Sequence, residues 1–169
     1  MTALPDHDRF LALIEEHKNI LHKVAYSYCR NPEDRADLTQ EMIIQLWRSF
    51  GRFDGRCLFS TWMYRIALNV AISFYRSETP RQRKTGPLEE STLEIAAPVG
   101  APEESSGEIR ELYRFIDSQL DELNRALVIL YLDDKSHDTI AEVLGISTSN
   151  VGTRIGRIKQ QLRLHFGCA

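Results

Sequence analysis

The chain has 169 residues, of which 43% are hydrophobic and 27% are charged, and its formal net charge is −3. This composition is ordinary for a soluble globular protein and excludes wholesale disorder. The longest uninterrupted apolar run, 126–132, is far shorter than the roughly 18 residues of a membrane helix, and the acidic N-terminus is unlike a secretory signal. We therefore expect a cytoplasmic protein without membrane insertion.

The first part of the chain shows the apolar spacing of helices. Helical spacing runs through 10–25, and Asn31 followed by Pro32 is typical of an N-cap and a first helical residue. The next helix carries apolar residues at helical spacing over 38–50. After a short loop bounded by glycines, Ser60 or Thr61 is expected to cap a helix that ends near Arg76.

The segment 77–107 differs in composition from its flanks. It holds four of the six prolines and none of the fifteen aromatic residues. Such a segment buries too little apolar area to offset its ordering entropy, so it is predicted to be a flexible linker. The linker divides the chain into two small helical domains, 1–76 and 108–169. No alternating strand pattern is present, and the predicted fold class is all-α.

The C-terminal domain carries the pattern of a helix-turn-helix. A helix from Asp121 precedes it, Ala141 is small enough for close helix crossing, Gly145 suits a left-handed cap and Ser147 caps the last helix. Polar and basic residues on that last helix are candidates for DNA contact: Thr148, Ser149, Asn150, Thr153, Arg154, Arg157 and Lys159. The alternative is an amphipathic surface helix. Gly152 and Gly156 on its outer side either permit close approach to DNA or are a mild defect.

Charge and aromatic residues concentrate in two places. Residues 44–85 hold eight basic and two acidic side chains, and 145–169 hold four basic and none acidic. Two basic segments in an acidic protein suggest two contacts with a polyanion, although solvated surfaces often look the same. Eight of the fifteen aromatics lie between Trp47 and Tyr75 among arginines, a pattern that suits unpaired bases. Most of these rings are expected in the core, with one or two around 53–59 available to bases.

These motifs together resemble a bacterial RNA polymerase sigma factor of the extracytoplasmic-function group. Asp37-Leu-Thr-Gln-Glu41 with Trp47 resembles the polymerase-binding helix, and 53–69 resembles the promoter-melting segment. The C-terminal helix-turn-helix resembles the domain for the upstream, minus-thirty-five element.

The resemblance implies specific roles for residues in both domains. Residues implied to dock on the polymerase are Asp37, Gln40 and Glu41. Residues implied to capture the melted minus-ten element are Arg56, Phe59, Arg65, Asn69, Ser73 and Arg76. The implied partners are core RNA polymerase, promoter DNA in duplex and melted form, and an anti-sigma factor.

Two other functions remain as alternatives. The first is an autonomous helix-turn-helix regulator, which would bind duplex DNA without polymerase and dimerise on a two-fold site. The second is an enzyme, but the five histidines and three cysteines show no metal-ligand or catalytic spacing. We expect reduced cysteines, no metal, no cofactor and no enzymatic activity.

Overall fold

A computed structural model describes residues 4–84 and 107–167, with side chains described for 6–77 and 107–167. Every described element is a helix, which confirms the all-α fold class. The eight helices of these ranges are α1 (Leu4–Glu16), α2 (Lys18–Tyr28), α3 (Pro32–Phe50), α4 (Phe59–Lys84), α5 (Gly107–Gln119), α6 (Glu122–Leu132), α7 (His137–Leu144) and α8 (Thr148–Phe166). Most of the predicted linker, 77–107, lies outside the described residues.

Two helices rather than one carry the apolar spacing through 10–25. The chain leaves helical geometry at His17, where φ is −110° and ψ is 15°. His17 Nδ1 lies 3.0 Å from the carbonyl oxygen of Leu13, and its ring contacts that of Phe59 at 5.2 Å between centroids. Because α1 and α2 meet the same core, their apolar residues keep a common face across the break.

The start of α3 is as predicted, whereas the start of α4 is not. Asn31 caps α3 by accepting a hydrogen bond from the Asp34 amide at 2.7 Å, with Pro32 in the first turn. The expected cap at Ser60 or Thr61 is wrong, because α4 already begins at Phe59. Burial of Phe59 in the core places this residue inside the first turn, ahead of the hydroxyl residues. The helix also continues to Lys84, past the predicted end near Arg76.

The helix-turn-helix forms as its local signals predict. The Asp121 side chain caps α6, and the Ser136 side chain caps α7 by accepting from the Thr139 amide at 3.1 Å. Gly145 ends α7 in the left-handed conformation with φ of 68°, where a side chain would be strained. Ser147 then caps α8. These contacts set the direction of α8, which packs on α6 and α7 with one face and leaves the other exposed.

The buried apolar side chains of the two halves form one connected core. In the N-terminal half, Leu38, Met42 and Leu46 lie four residues apart on α3 and are completely buried against α2 and α4. In the C-terminal half, Leu127 of α6 and Ile140 of α7 are completely buried. Full burial of each such side chain contributes about 1.5 to 3 kcal/mol to the stability of the folded state. The two halves also contact each other, with α2 and α4 on one side and α5, α6 and α7 on the other.

None of the helices in 4–84 and 107–167 is both long and apolar enough to cross a bilayer.

Candidate nucleic-acid and protein interfaces

One exposed face of α3 carries the residues predicted to contact the polymerase. Asp37, Gln40 and Glu41 are exposed and lie together, since residues three and four apart are neighbours on a helix. Ile44 and Trp47 continue this face at 43% and 44% exposure. The motif did not single out Ile44, although an apolar residue at helical spacing from Gln40 is the signal that could have identified it. Polar and apolar side chains together are typical of a protein-binding surface.

An open groove of about 480 Å³ lies between α3 and α4. Its lining includes Glu41 and Gln45 of α3 and Asn69, Ser73 and Phe74 of α4. Gln45 Nε2 donates to Glu41 Oε1 at 3.0 Å, so one carboxylate oxygen of Glu41 already has a hydrogen-bond partner within the groove. Asn69 and Ser73 are exposed. The structure therefore brings two residues predicted for the minus-ten element and one predicted for the polymerase to one groove.

Phe59, predicted as a base-contacting ring, is part of the core. It is 8% exposed and contacts the rings of His17, Phe50, Phe53 and Trp62, with centroid distances of 5.2 to 6.4 Å. A base could reach this ring only if the cluster were displaced. The structure thus favours a packing role for Phe59.

The exposed side chains of the loop before α4 lie beside Phe59. Leu58 is 71% exposed, and the Arg56 side chain is 89% exposed while its Nε contacts Asp54 Oδ2 at 3.1 Å. Sequence reasoning assigned the base contact to an aromatic ring and did not consider Leu58. The large exposed apolar surface in this loop belongs to Leu58 and not to Phe59.

Two of the predicted DNA-contacting arginines form ion pairs with the C-terminal domain. Arg65 Nη2 lies 3.1 Å from Glu142 Oε1 of α7, and Arg76 Nε lies 2.9 Å from Glu122 Oε1 of α6. The hydrogen bond from Arg76 lowers the pKa of the Glu122 carboxyl, so this pair persists at neutral pH and weakens only in acid. Both guanidinium groups are therefore occupied in this structure.

The outward surface of α8 presents part of the predicted recognition set. Ser149, Thr153 and Arg157 are exposed, and Arg157 pairs with no carboxylate among the residues that the structure describes. Thr148 is exposed as well, with its hydroxyl donating to Asp138 Oδ1 at 3.2 Å. Small hydroxyls and an unpaired arginine are suited to base edges and phosphates in a major groove.

Three other predicted recognition residues contact the domain itself. Arg154 is half-buried and donates to Asn150 Oδ1 and to Asn124 Oδ1 of α6, both at 3.0 Å. The Lys159 ammonium lies over the ring of Tyr131 of α6, 5.0 Å from its centroid. These side chains hold α8 against α6, so the structure assigns Arg154 a positioning role that helical spacing alone does not reveal.

The two glycines of α8 are not required by internal packing. A Cβ at Gly156 would meet nothing within 4 Å, and one at Gly152 would meet only His137 Nδ1, at 3.9 Å. Both glycines have ordinary helical backbone. The structure leaves both sequence-based interpretations of these glycines open.

Replacing Gly156 by alanine is expected to raise the free energy of unfolding by about 0.5 to 1 kcal/mol, because alanine loses less backbone entropy in a helix. Urea titration measures this, with Gly152→Ala as the parallel variant. A loss of stability would show that the fold does need glycine there. If the stabilised Gly156→Ala protein binds the upstream element more weakly, close approach to DNA is the reason for the glycine; unchanged binding identifies a mild defect.

Within 4–84 and 107–167, no three His, Cys, Asp or Glu side chains come together as a set that could hold a metal ion.

Comparisons with known proteins place both domains. Residues 13–81 match the family profile described as Sigma-70 region 2, and residues 111–162 match that described as Sigma-70, region 4. The chain is 29% identical over 167 residues to the ECF RNA polymerase sigma factor SigW of Bacillus subtilis, covering 94% of this chain and 89% of that protein. It is 25% identical to SigV of the same organism, covering 90% and 88%.

Solved structures show the same fold. The sigma factor RpoE of Bartonella quintana, crystallised with the anti-sigma factor NepR, aligns with a TM-score of 0.68 at 17% identity over 96% of both chains. CnrH in complex with the cytosolic domain of CnrY aligns with a TM-score of 0.65 at 23% identity, over 95% of this chain and 89% of that chain. Since the two profiles cover both domains in order and the relatives extend over nearly the whole chain, the protein belongs to the extracytoplasmic-function group of sigma factors, which are not enzymes but direct core RNA polymerase to specific promoters in transcription initiation.

Proposed function

We propose that three separate surfaces of this sigma factor bind core polymerase, the minus-ten element and the upstream element. The exposed face of α3 with Asp37, Gln40 and Glu41 binds core polymerase. The segment from Arg56 to Arg76 binds the melted minus-ten element, and the outward face of α8 binds the upstream element. The observation that carries this division is that the three surfaces lie on different helices and present different chemistry, acidic and apolar on α3 but basic and hydroxylic on α8.

The DNA-binding residues within these surfaces follow from exposure and charge. For the upstream element we propose Thr148, Ser149, Thr153 and Arg157, with Asn150, Arg154 and Lys159 supporting the helix. For the minus-ten element we propose Arg56, Leu58, Arg65, Asn69, Ser73 and Arg76, with Phe59 supporting the loop. Cations suit the backbone of a melted strand, and exposed apolar side chains suit unstacked bases.

The proposed division into domains 1–76 and 108–169 is supported by the separate profile matches, of which the first ends at 81 and the second begins at 111. RpoE and CnrH were solved with regulatory partners, which supports the proposal that an anti-sigma factor controls this chain as well. Because core polymerase is cytoplasmic, we propose that the protein acts in the cytoplasm.

Reconstitution tests the proposed function. The purified chain is mixed with core polymerase, and transcription is mapped on genomic fragments. We expect transcripts that start at defined promoters and depend on this protein. Tight binding to duplex sites by the chain alone, with no transcript from the mixture, would instead indicate an autonomous regulator.

Changing Gln40 and Glu41 together to alanine is expected to weaken binding to core polymerase by about 1 to 3 kcal/mol, since truncation removes polar contacts at the centre of the proposed face. Stability should change by less than about 0.5 kcal/mol, because both residues are exposed. The matched control changes the exposed residues Glu16 and Asn19. Fluorescence titration with core polymerase measures the effect, and equal affinities of the two folded double variants would contradict the assignment.

Arg157→Ala is expected to weaken DNA binding, whereas Arg154→Ala is expected to lower the stability of the domain. Loss of exposed Arg157 should weaken upstream-element binding by about 1 to 3 kcal/mol if it contacts bases, or weaken all sequences evenly with a shallower salt slope if it contacts phosphates. Loss of Arg154 should instead lower domain stability by about 1 to 3 kcal/mol, because its two amide contacts disappear. DNA titration and urea unfolding separate the two effects. A fully stable Arg154→Ala protein with weakened DNA binding would show that Arg154 contacts DNA directly.

A further inference from the structure

Arg9 on α1 is a cation that none of the sequence motifs includes. The profile described as Sigma-70 region 2 matches residues 13–81, so Arg9 lies before its first matched residue. The adjacent Phe10 fastens α1 to α3, since it is 3% exposed and its ring lies 5.0 Å from that of Trp47 and 5.2 Å from that of Phe50, between centroids. Arg9 itself is exposed. Packing of Phe10 therefore fixes the region of the surface that the Arg9 side chain can reach.

The Arg9 guanidinium lies over the ring of Phe50, with its Cζ 5.8 Å from the ring centroid. Attraction between a cation and the face of an aromatic ring orients the guanidinium without using any of its five N–H donors. Because Phe50 is only 7% exposed, the guanidinium covers this ring from the solvent side. The donors of Arg9 are therefore held in place and remain available to a ligand.

The ring of Phe50 belongs to the aromatic cluster that supports the loop before α4. Its centroid lies 6.4 Å from that of Phe59, and the ring of Phe53 in the loop lies 5.5 Å from that of Phe59. Leu58, whose exposed side chain we propose for base contact, immediately precedes Phe59. The fold therefore brings a cation of α1 to the cluster beneath this loop, although Arg9 and Leu58 are far apart in the sequence.

Arg9 and Arg52, the exposed arginine that follows α3, form no ion pair with any carboxylate in the part of the chain that the structure describes. Asp8, the acid next to Arg9, instead lies 3.6 Å from Nδ1 of His7. Asp54, the single acid in the sequence of the loop, contacts the neighbouring loop arginine at 3.1 Å. Exposed guanidinium groups without a carboxylate partner keep their donors for a phosphate, whose geometry they match.

The chemistry of this surface suits the backbone of a single strand. Proteins that hold unpaired nucleic acid combine side chains that contact the bases with cations that follow the backbone. Leu58 offers the apolar contact, and Arg9 and Arg52 offer cations on the cluster from which Leu58 projects. A strand whose bases meet Leu58 carries its phosphates past this cluster.

We propose that Arg9 is a further DNA-contacting residue, which binds a backbone phosphate of the melted promoter strand while the loop before α4 contacts the bases. Arg52 supplies a second cation to the same strand. This assignment rests on the proposed binding of the minus-ten element by the segment from Arg56 to Arg76. It extends that surface to α1, which lies outside the promoter-melting motif.

Removal of the Arg9 charge tests the contact in the complex with core polymerase. Arg9→Gln removes the charge, Arg9→Lys keeps it, and Arg110→Gln on α5 is the matched control, because it makes the same charge change at an exposed site. The probe is a labelled single-stranded oligonucleotide that carries the minus-ten sequence of a promoter used by the wild-type protein. Its affinity for each complex is measured over a range of salt concentrations.

We expect the Arg9→Gln complex to bind this probe about threefold or more weakly than the Arg110→Gln complex. Its salt slope should be shallower by about 0.7, which corresponds to one phosphate contact on a single strand. Arg9→Lys should keep the wild-type slope, because a lysine also neutralises a phosphate. Equal affinities and slopes for Arg9→Gln and Arg110→Gln would overturn the proposal.

Two further measurements separate this contact from other roles of Arg9. A duplex that carries only the upstream element should bind the Arg9→Gln and wild-type complexes equally, and an equal loss on both probes would overturn the assignment to the melted strand. Affinity for core polymerase should also be unchanged, and a loss confined to that affinity would overturn the DNA contact. Wild-type complex that prefers the minus-ten probe no more than a scrambled one would overturn the proposed function instead, whereas the salt slopes would still test Arg9.

Discussion

Replacing Phe59 by alanine is expected to lower the free energy of unfolding by about 3 to 5 kcal/mol. The ring is 8% exposed and packs against Phe50, Phe53 and Trp62, so truncation leaves a cavity in the middle of the aromatic cluster. Phe59 also forms the first turn of α4, and the loop before it should loosen with the cavity. Urea unfolding followed by tryptophan fluorescence measures the loss.

Leu58→Ala is the matched control for this prediction. Leu58 is the adjacent residue but is 71% exposed, so its truncation should change stability by less than about 0.5 kcal/mol. If Leu58 contacts unpaired bases, the variant should form closed promoter complexes normally while permanganate reactivity of promoter thymines falls, and a pre-melted template should restore transcription. A Phe59→Ala protein as stable as wild type would contradict the core assignment, and normal opening by Leu58→Ala would exclude Leu58 from base capture.

Replacing Arg125 by alanine is expected to lower the free energy of unfolding by about 3 kcal/mol or more. The Arg125 side chain is 2% exposed, and the substitution leaves the carbonyls of Ser27, Leu120 and Asp117 without this donor. It also removes the stacking of the guanidinium over Tyr75, whose ring centroid lies 4.7 Å away. Calorimetry of the full chain measures the change.

Arg114→Ala separates this effect from the loss of a positive charge. The Arg114 side chain is 67% exposed and pairs only loosely with Glu111, at 3.5 Å. Its truncation should cost less than about 0.5 kcal/mol. Equal transition temperatures for the two arginine variants would mean that Arg125 is not a structural centre of the domain contact.

Much of the local structure of this protein could be predicted from its sequence. The caps at Asn31 and Ser147 and the left-handed Gly145 formed where the sequence predicts them, because each depends on residues within one helical turn. The all-α fold class was predicted from the helical spacing of the apolar residues. The family resemblance could be recognised in both domains because each of its motifs is a short, contiguous run of residues.

Tertiary structure decided which of these residues are available for binding. Phe59 and Leu58 are adjacent in sequence, yet one is buried and the other exposed, because the helices that form the cluster come from three parts of the chain. Arg154 lies at a helical position that suits DNA contact, but Asn124 of α6 binds it. Arg65 meets Glu142 from 77 residues away. Helical periodicity encodes which face a residue occupies, whereas its partner across a domain contact depends on how separate helices pack, which no local pattern contains.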